Sequence, residues 1–496
     1  MSSLRHTPIS VRLAVAISVL AGLAPATASA ARPLRTAVVD ADAFYDLASI
    51  PEASRLVAST GARAVRFYVD WSATAPTSRP DDFDPADPSD PAYYWERLDT
   101  QVREATARGL SPILSISRAP DWASKRGKGE PGSWRPDPRA FGKFALAVAR
   151  RYRGSFGDLP HVRYYQAWNE PNYWRHLVPQ YDTPFSDPVR EDSKLVSPTI
   201  YRRLVNAMAK SVHQVRRDNR VVAGGLSPFG GELAGRHKAR VMPFMRAFLC
   251  MNERNRPAKN CKARPRFDIW SHHPYTTGGP THKNVTSLDV SLGDLPRMRK
   301  LLRAAIRADH VISRHKVEFW GTEFSWDTDP PDPNAVPMEL HKRWVSHALY
   351  QMWKSGMSLV TWFQIQDHPG VTGDGHSFES GLYFGCDGGI SCATPKPSMQ
   401  AFRFPFVAFR APSRVRVWGR TPDSLGGPVL IEQKRGDDWR KVVTLTANRH
   451  GIFRRKVRAK RRGGPMRASV TRDTGIEHSL PFSLKRVPDR TVQPFG

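Results

Sequence analysis

The segment YYQAWNEPN, at residues 164–172, joins a strand-like run to a turn that carries a carboxylate. Its first half is apolar and aromatic, which is typical of a buried strand. The Asn-Glu-Pro turn that follows presents the carboxylate of Glu170 where the strand ends. A second apolar run, VEFWGT at residues 317–322, presents Glu323 in the same way. Two carboxylates at the ends of two separate strands predict a common site at one edge of a sheet.

Strand-like runs of this kind recur along the chain and alternate with helical patterns. We predict eight strands, which begin near Thr36, Ala64, Pro112, Tyr164, Val221, Phe267, Val317 and Ser358. This alternation predicts an α/β fold, a (β/α)8 TIM barrel. The strands are continuous apolar runs, as expected when helices cover the outside. A doubly wound open sheet is the alternative, but no GxGxxG or GxxxxGK[ST] turn follows the first strand.

The pattern changes past about residue 405. Short β-rich runs at 415–418, 429–432 and 442–445 are separated by turn signals. We therefore predict a barrel domain over residues 31–404 and a small all-β, immunoglobulin-like sandwich over 410–488. The sequence WRKVVTLTANRHGIF, at 439–453, resembles small immunoglobulin-like modules of secreted bacterial enzymes. The basic run that follows suits contact with a polyanionic surface, or keeps a strand edge soluble.

The first thirty residues have the order of regions found in a secretory signal peptide. Arg5 and Arg12 precede an apolar run over 13–23. The small residues Ala28-Ser29-Ala30 end the segment, as at a cleavage site. We predict a signal peptide over residues 1–30 and a secreted, extracellular protein. An uncleaved N-terminal anchor is the alternative. No later segment has about twenty uncharged apolar residues, so we expect no membrane span.

The four cysteines fit an oxidising compartment. They form two close pairs, Cys250 with Cys261 and Cys386 with Cys392, and short loop closure favours pairing within each. Neither pair has the CxxC spacing of a zinc or redox site, which favours two disulfides. Four free thiols are the alternative.

Basic residues outnumber acidic ones by 75 to 46, a net charge of +29. No zinc-finger, helix-turn-helix or RRM signature accompanies this charge, so we do not expect a nucleic-acid partner. An exported basic protein would instead accumulate on anionic cell-wall polymers or exopolysaccharides. We expect a monomer. The net charge therefore predicts the kind of surface to which the protein binds, and it does not indicate an activity.

Two glutamates at strand ends are what glycosidic-bond cleavage requires. We assign Glu170 as general acid/base, which requires a raised pKa from burial or a neighbouring carboxylate. Glu323 would stay ionised and attack the anomeric carbon. In a retaining enzyme the two carboxyl groups lie roughly 5–5.5 Å apart.

The motifs AWNEPN, at 167–172, and GTEFSW, at 321–326, resemble those of the retaining glycoside hydrolases of clan A, and within that clan they are most similar to families 39 and 5. The resemblance covers roughly residues 35–400 and implies a barrel that cleaves β-linked saccharides. Family 39 would imply xylosides or exopolysaccharides, and family 5 β-glucans or mannans. The sequence leaves open the family, the sugar, and exo against endo action.

The same resemblance implies further site residues. Asn169 matches an asparagine that binds the sugar 2-hydroxyl, and Arg66 an arginine beside the nucleophile that holds its pKa down. His273 and Tyr275 match an HxY element near the nucleophile, although His272 competes because only one of two adjacent residues faces inward. Trp362 matches an aromatic floor under the sugar, and plain core packing is its alternative.

The proposed chemistry needs no cofactor, and no metal motif supports another. His272, His273 and His282 lack HExxH spacing, and the Asp-rich run at 81–87 lacks the glycine and terminal Glu of a calcium loop. No GxSxG element supports serine hydrolysis. The leading hypothesis is a secreted retaining glycoside hydrolase with a carbohydrate substrate. A wall-associated carbohydrate-binding protein with this fold but no turnover is the alternative.

Overall fold

A computed structural model describes residues 32–492 except 126, 128, 185–186, 234–235, 369–377 and 488–489. Eight parallel strands close into a barrel in which every strand pairs with its neighbours in sequence and the last pairs with the first. The predicted TIM barrel is therefore confirmed. The strands are β1 Arg35–Val39, β2 Ala64–Asp70, β3 Ser111–Ser117, β4 Tyr164–Ala167, β5 Arg220–Leu226, β6 Ile269–His272, β7 Glu318–Gly321 and β8 Leu359–Phe363.

A principal helix follows each barrel strand. The helices are α1 Ile50–Ser59, α2 Glu96–Ala107, α3 Pro138–Arg151, α4 Ser197–Val215, α5 Val241–Leu249, α6 Leu295–Arg307, α7 Met338–Ser355 and α8 Pro397–Arg403. The sequence analysis missed two of these helices, α5 and α8, and also a short hairpin of Gly231–Leu233 with Arg236–Lys238 before α5. The hairpin strands are three residues each, too short to show a period.

Strand alternation fixes which side chains fill the barrel. One residue from each strand forms a layer inside it: Ala37, Ala64, Ile113, Tyr164, Val222, Ile269, Trp320 and Leu359. Because side chains alternate along a strand, residues two positions further on also point inward. On β2, β3 and β4 these are Arg66, Ser115 and Gln166, all fully buried. A polar layer thus lies above the apolar one, towards the carboxyl ends of the strands.

The C-terminal part of the chain is all β, as predicted. Strands β9 Phe406–Arg410, β10 Val415–Arg420 and β13 Ile452–Val457 form one antiparallel sheet. Strands β11 Gly427–Arg435, β12 Asp438–Ala447, β14 Met466–Arg472 and β15 Gly475–His478 form another. The immunoglobulin-like arrangement and the domain boundaries stay predictions.

Arg420 joins the C-terminal strands to the barrel. Its guanidinium is buried and donates to Leu34 O, Thr36 Oγ1, Phe402 O and Arg403 O at 3.0–3.2 Å. Burial lowers the pKa of Arg420 to about 9. One buried cation therefore connects β10 to β1 and to the end of α8.

Both predicted disulfides are formed, Cys250–Cys261 and Cys386–Cys392. In the part of the chain that the structure describes, no helix is both long and apolar enough to cross a membrane. The predicted signal peptide lies outside the described residues.

Candidate active site

The site lies where β2, β4, β6 and β7 end, at the carboxyl mouth of the barrel. Glu170 follows β4 and Glu323 follows β7, so both carboxylates reach the same opening. Arg66 lies on the inward face of β2, and His273 follows β6. The closed barrel therefore brings together four predicted residues that are far apart in the sequence.

Arg66 organises the floor of this site. Its Nη1 forms an ion pair with Glu323 Oε1 at 2.6 Å, and its Nη2 donates to Asn169 Oδ1 at 2.8 Å. Its other donors reach Ser115 Oγ at 3.0 Å and Gln166 Oε1 at 3.1 Å. A guanidinium with five fixed donors suits this arrangement, and an ammonium would not replace it. The Arg66 cation thus balances Glu323 and orients Asn169.

Two tyrosines approach the carboxylate of Glu323. The hydroxyl of Tyr68 donates to Oε1 at 2.7 Å, and that of Tyr275 lies 3.4 Å from Oε2. Burial and the Glu323 charge raise the pKa of Tyr68 well above its ordinary value, so its hydroxyl keeps its proton. Glu323 is therefore held in one orientation by Arg66 and Tyr68.

His273 lies between the two glutamates. Its Nδ1 is 3.0 Å from Glu170 Oε1 and 3.4 Å from Glu323 Oε2. Both neighbours of Nδ1 are carboxylate oxygens, which only accept hydrogen bonds. We therefore assign a hydrogen to Nδ1 of His273. An oxygen of Glu170 and one of Glu323 lie within 4.8 Å of each other. This separation suits the short spacing of a double-displacement pair rather than the 6.5–9.5 Å needed to admit a water.

The pKa of Glu170 differs from the sequence-based expectation. Burial acts to raise it, but the hydrogen bond and charge of His273, helped by Lys238 and His176, lower the pKa to about 2. The expected raised pKa is therefore not found. Glu170 is ionised because His273 donates to it.

The turn that carries Glu170 is held by backbone contacts. Trp168 and Glu170 have φ of 65° and 37°, a left-handed conformation that costs about 1–2 kcal/mol per non-glycine residue. Trp168 N donates to Ile116 O at 2.8 Å, and Glu170 N to Gly225 O at 3.1 Å. Gly225 has a φ of 60°, and a Cβ there would lie 2.8 Å from the side-chain amide of Gln166, so both the backbone and the space favour glycine. Neighbouring strands thus aim Glu170 into the mouth.

Alternation decides between the two adjacent histidines. Ile269 faces the barrel interior, so His273 also faces inward and His272 outward. His272 Nε2 lies 2.7 Å from Val290 O, away from the glutamates. The structure therefore places His273, and not His272, in the site.

Trp362 is not brought to the two glutamates. Leu359 faces inward, so Trp362 faces the surrounding helices, is 1% exposed and donates its indole N–H to Ser380 O at 2.8 Å. Phe363, one residue on, faces inward and contacts Tyr275 at a ring distance of 6.5 Å. The aromatic residue of β8 beside the site is Phe363.

Sequence reasoning missed several residues of the site. Tyr68 lies two residues after Arg66 on the same face of β2, so strand alternation could have identified it. His176, with Nε2 3.9 Å from Glu170 Oε2, and Lys238 come from a loop and the short hairpin. Nothing in their local sequence indicates a site.

Two groups of described residues hold three potential metal-ligand atoms within 4.8 Å: Glu170, His273 and Glu323, and Asp40, Asp42 and His368. In the first group, the hydrogen on Nδ1 of His273 explains why the carboxylates of Glu170 and Glu323 both lie close to the imidazole. In the second, Asp40 already accepts the backbone N–H groups of Asp42, Ala43 and Ile365. Neither arrangement requires an ion to explain its geometry.

Fold and site together define a parallel (β/α)8 barrel with a buried carboxylate pair at its mouth. Solved structures similar to it include glycoside hydrolases of families 39, 30 and 5. The family 39 glycoside hydrolase from Bacteroides cellulosilyticus WH2 has a TM-score of 0.50 and 17% identity, over 86% of this chain and 81% of that one. This likeness supports the fold.

Two further neighbours are more distant. The family 30 endoxylanase from Clostridium papyrosolvens C71 has a TM-score of 0.45 and 12% identity, over 86% of this chain and 94% of that one. The GH5_18 protein from Streptomyces cattleya, solved with GlcNAc, has a TM-score of 0.46 and 14% identity, over 75% of this chain and 79% of that one. No family model and no curated protein sequence matches the chain.

Proposed function

We propose that this protein is a secreted retaining glycoside hydrolase that cleaves β-O-glycosidic bonds of a poly- or oligosaccharide. The observation that carries the proposal is the Glu170–Glu323 pair, with oxygens within 4.8 Å and His273 between them. The short spacing and the barrel mouth both suit double displacement.

In the first step Glu323 attacks the anomeric carbon while Glu170 gives its proton to the leaving oxygen, and a glycosyl ester forms on Glu323. In the second step Glu170 takes a proton from water, which hydrolyses the ester with overall retention. Arg66 and Tyr68 hold the nucleophile, and Asn169 contacts the sugar 2-hydroxyl. Phe363, rather than Trp362, is the aromatic residue placed to contact the sugar.

The first step requires Glu170 to be protonated, whereas His273 favours its ionised form. A bound sugar excludes water from the mouth, and burial raises the pKa of a carboxyl group. Substrate binding therefore favours the protonated acid. This coupling makes the pH dependence of the reaction a test of the assignment.

The low pKa of Glu170 also favours a second candidate function, because an ionised Glu170 cannot donate a proton. Under this hypothesis the chain is a wall-associated carbohydrate-binding protein with a glycosidase fold and no turnover. Export and contact with anionic wall polymers would be common to both functions.

The deciding experiment is reducing-sugar release from β-glucans, mannans, xylans and bacterial exopolysaccharides by the wild type and by Glu323→Gln. We expect release that the substitution abolishes, and a product whose anomeric configuration by NMR matches that of the substrate. Binding without release by folded wild-type protein would instead establish the binding protein. An inverted product would contradict the role of Glu323 as nucleophile.

A further inference from the structure

A second concave surface lies outside the carboxylate site. A cavity of about 680 Å³ is lined by the loops after β2 and β3 and by the first two turns of α3 and α4. In a parallel barrel these loops and helix starts lie at the carboxyl end of the strands. The cavity, here called the rim groove, therefore opens at the same end as Glu170 and Glu323.

The rim groove is strongly cationic. Six of its lining residues carry positive charge: Arg79, Lys125, Arg135, Arg139, Lys143 and Arg203. Its one described acidic residue, Asp137, is used as the N-cap of α3, where Oδ1 accepts the backbone N–H groups of Arg139 and Ala140 at 2.8 Å. None of the six cations forms an ion pair with another described residue. Their charge is therefore available to an anionic ligand.

An aromatic side chain lines the same groove. Trp122 is partly exposed, and its indole N–H donates to Pro76 O at 2.8 Å, which fixes the ring. The guanidinium carbon of Arg79 lies 5.7 Å from the ring centroid. Apolar C–H faces of sugar rings pack on aromatic rings, while guanidinium groups bind carboxylates through paired hydrogen bonds. A fixed ring among cations thus fits a ligand with both features.

We propose that the rim groove is a binding site for an acidic saccharide chain, one that carries carboxylates on its sugar rings. Trp122 would contact a ring face, and Arg139, Lys143 and their neighbours would bind the carboxylates. A phosphate polymer would satisfy the cations but would leave Trp122 without a partner, which favours the saccharide.

The groove is connected to the turn that carries Glu170. Trp122 packs on Trp71 at a ring distance of 5.9 Å, Trp71 on Phe141 at 5.8 Å, and Phe141 on Trp168 at 5.7 Å. A chain bound in the groove would therefore be held beside the barrel mouth. The inference concerns binding alone and does not require turnover.

A matched control comes from another basic cavity. The outer faces of α6 and α7 form a cavity of about 400 Å³ that includes Arg299, Lys300, Arg303, Arg307 and Lys354, with no aromatic residue among its described lining. Arg139→Glu/Lys143→Glu in the rim groove and Lys300→Glu/Arg303→Glu in this cavity change the net charge equally. Diffuse attraction to a basic protein would be weakened equally by both.

The experiment measures binding of hexagalacturonate, cellohexaose and inorganic polyphosphate to the full chain carrying Glu323→Gln, by calorimetry at low salt. We expect hexagalacturonate to bind more tightly than cellohexaose. Arg139→Glu/Lys143→Glu should weaken that binding about tenfold, since two exposed charge contacts are worth about 1.4 kcal/mol together. Lys300→Glu/Arg303→Glu should change it less than twofold, and thermal unfolding should verify that both variants fold.

Equal weakening by the two double variants, or no preference for hexagalacturonate over cellohexaose, would overturn the proposal. Polyphosphate binding as tight as hexagalacturonate, together with no effect of Trp122→Leu on hexagalacturonate binding, would overturn the saccharide assignment. Because the glycosidase proposal is tested separately by sugar release, groove binding without any release would contradict that proposal and support this one.

Discussion

Nη1 of Arg66 lies 2.6 Å from Oε1 of Glu323, and the guanidinium has no exposed surface. This ion pair is the centre of a network that also includes Asn169, Ser115 and Gln166. A buried cation with several partners makes each of them dependent on the others, since removal of one leaves a buried group unsatisfied. The carboxylate of Glu323 is thus positioned by the polar layer of the barrel.

Breaking this pair from one side should be costly for folding. We expect Arg66→Met to lower the free energy of unfolding by about 3–5 kcal/mol, because it leaves the Glu323 charge buried and unpaired. Denaturant unfolding measures this. The double variant Arg66→Met/Glu323→Gln should recover part of the loss, since no buried charge then remains. Strict additivity of the two single effects would contradict the coupling.

The two tyrosines near Glu323 should differ in importance. We expect Tyr68→Phe to reduce kcat/KM about 10–100-fold, because a hydrogen bond to a charged group contributes about 1.5–3 kcal/mol. Tyr275→Phe should cost less, since its hydroxyl is 3.4 Å from the carboxylate whereas that of Tyr68 is 2.7 Å away. Steady-state kinetics on one substrate compares them. A larger loss for Tyr275→Phe would reverse the assigned order.

Removal of His273 should move the pH profile. His273 is the main group that lowers the pKa of Glu170 to about 2, so His273→Ala leaves burial to raise it. Glu170 then stays protonated to a higher pH, and the alkaline limb of kcat/KM should shift upward. His272→Ala is the control, because His272 is equally buried but contacts Val290 O. A similar shift in both variants, or a downward shift in the first, would count against the Glu170–His273 coupling.

The same pair predicts an acid-sensitive stability. Glu170 has a lowered pKa when folded, so its contribution is present above its unfolded pKa, about 4.3, and is lost as the pH falls towards 2. The stability difference between wild type and Glu170→Gln should therefore shrink over this interval. Denaturant unfolding between pH 5 and pH 2 measures it, and a constant difference across that range would contradict the lowered pKa.

Arg420 should couple the C-terminal strands to the barrel. Arg420→Met removes its hydrogen bonds to Leu34, Thr36, Phe402 and Arg403. We expect a lower Tm and, by calorimetry, a broader or two-step transition, because buried carbonyl groups of the barrel lose the donor that β10 supplies. Arg416→Met, on an exposed position of the same strand, is the matched control and should leave the transition unchanged.

Local sequence patterns predicted much of the fold. All eight barrel strands and both disulfides were predicted, because apolar runs, turn residues and short cysteine spacings are local signals. Glu170 and Glu323 were proposed as the carboxylate pair for the same reason, since each follows an aromatic strand. The hairpin and the helices α5 and α8 were missed because runs of three to nine residues are too short for their pattern to distinguish a helix from a strand.

Which side chains meet in the site depends on the tertiary structure. Closure of the barrel fixes strand register, and register decides that His273 and Phe363 face inward while His272 and Trp362 face outward. The position of His273 between two carboxylates, and hence the low pKa of Glu170, depends on β4, β6 and β7 converging. The local sequence predicts the strands and the two glutamates that follow them. The distances between the side chains of the site are set only when the sheet closes into a barrel.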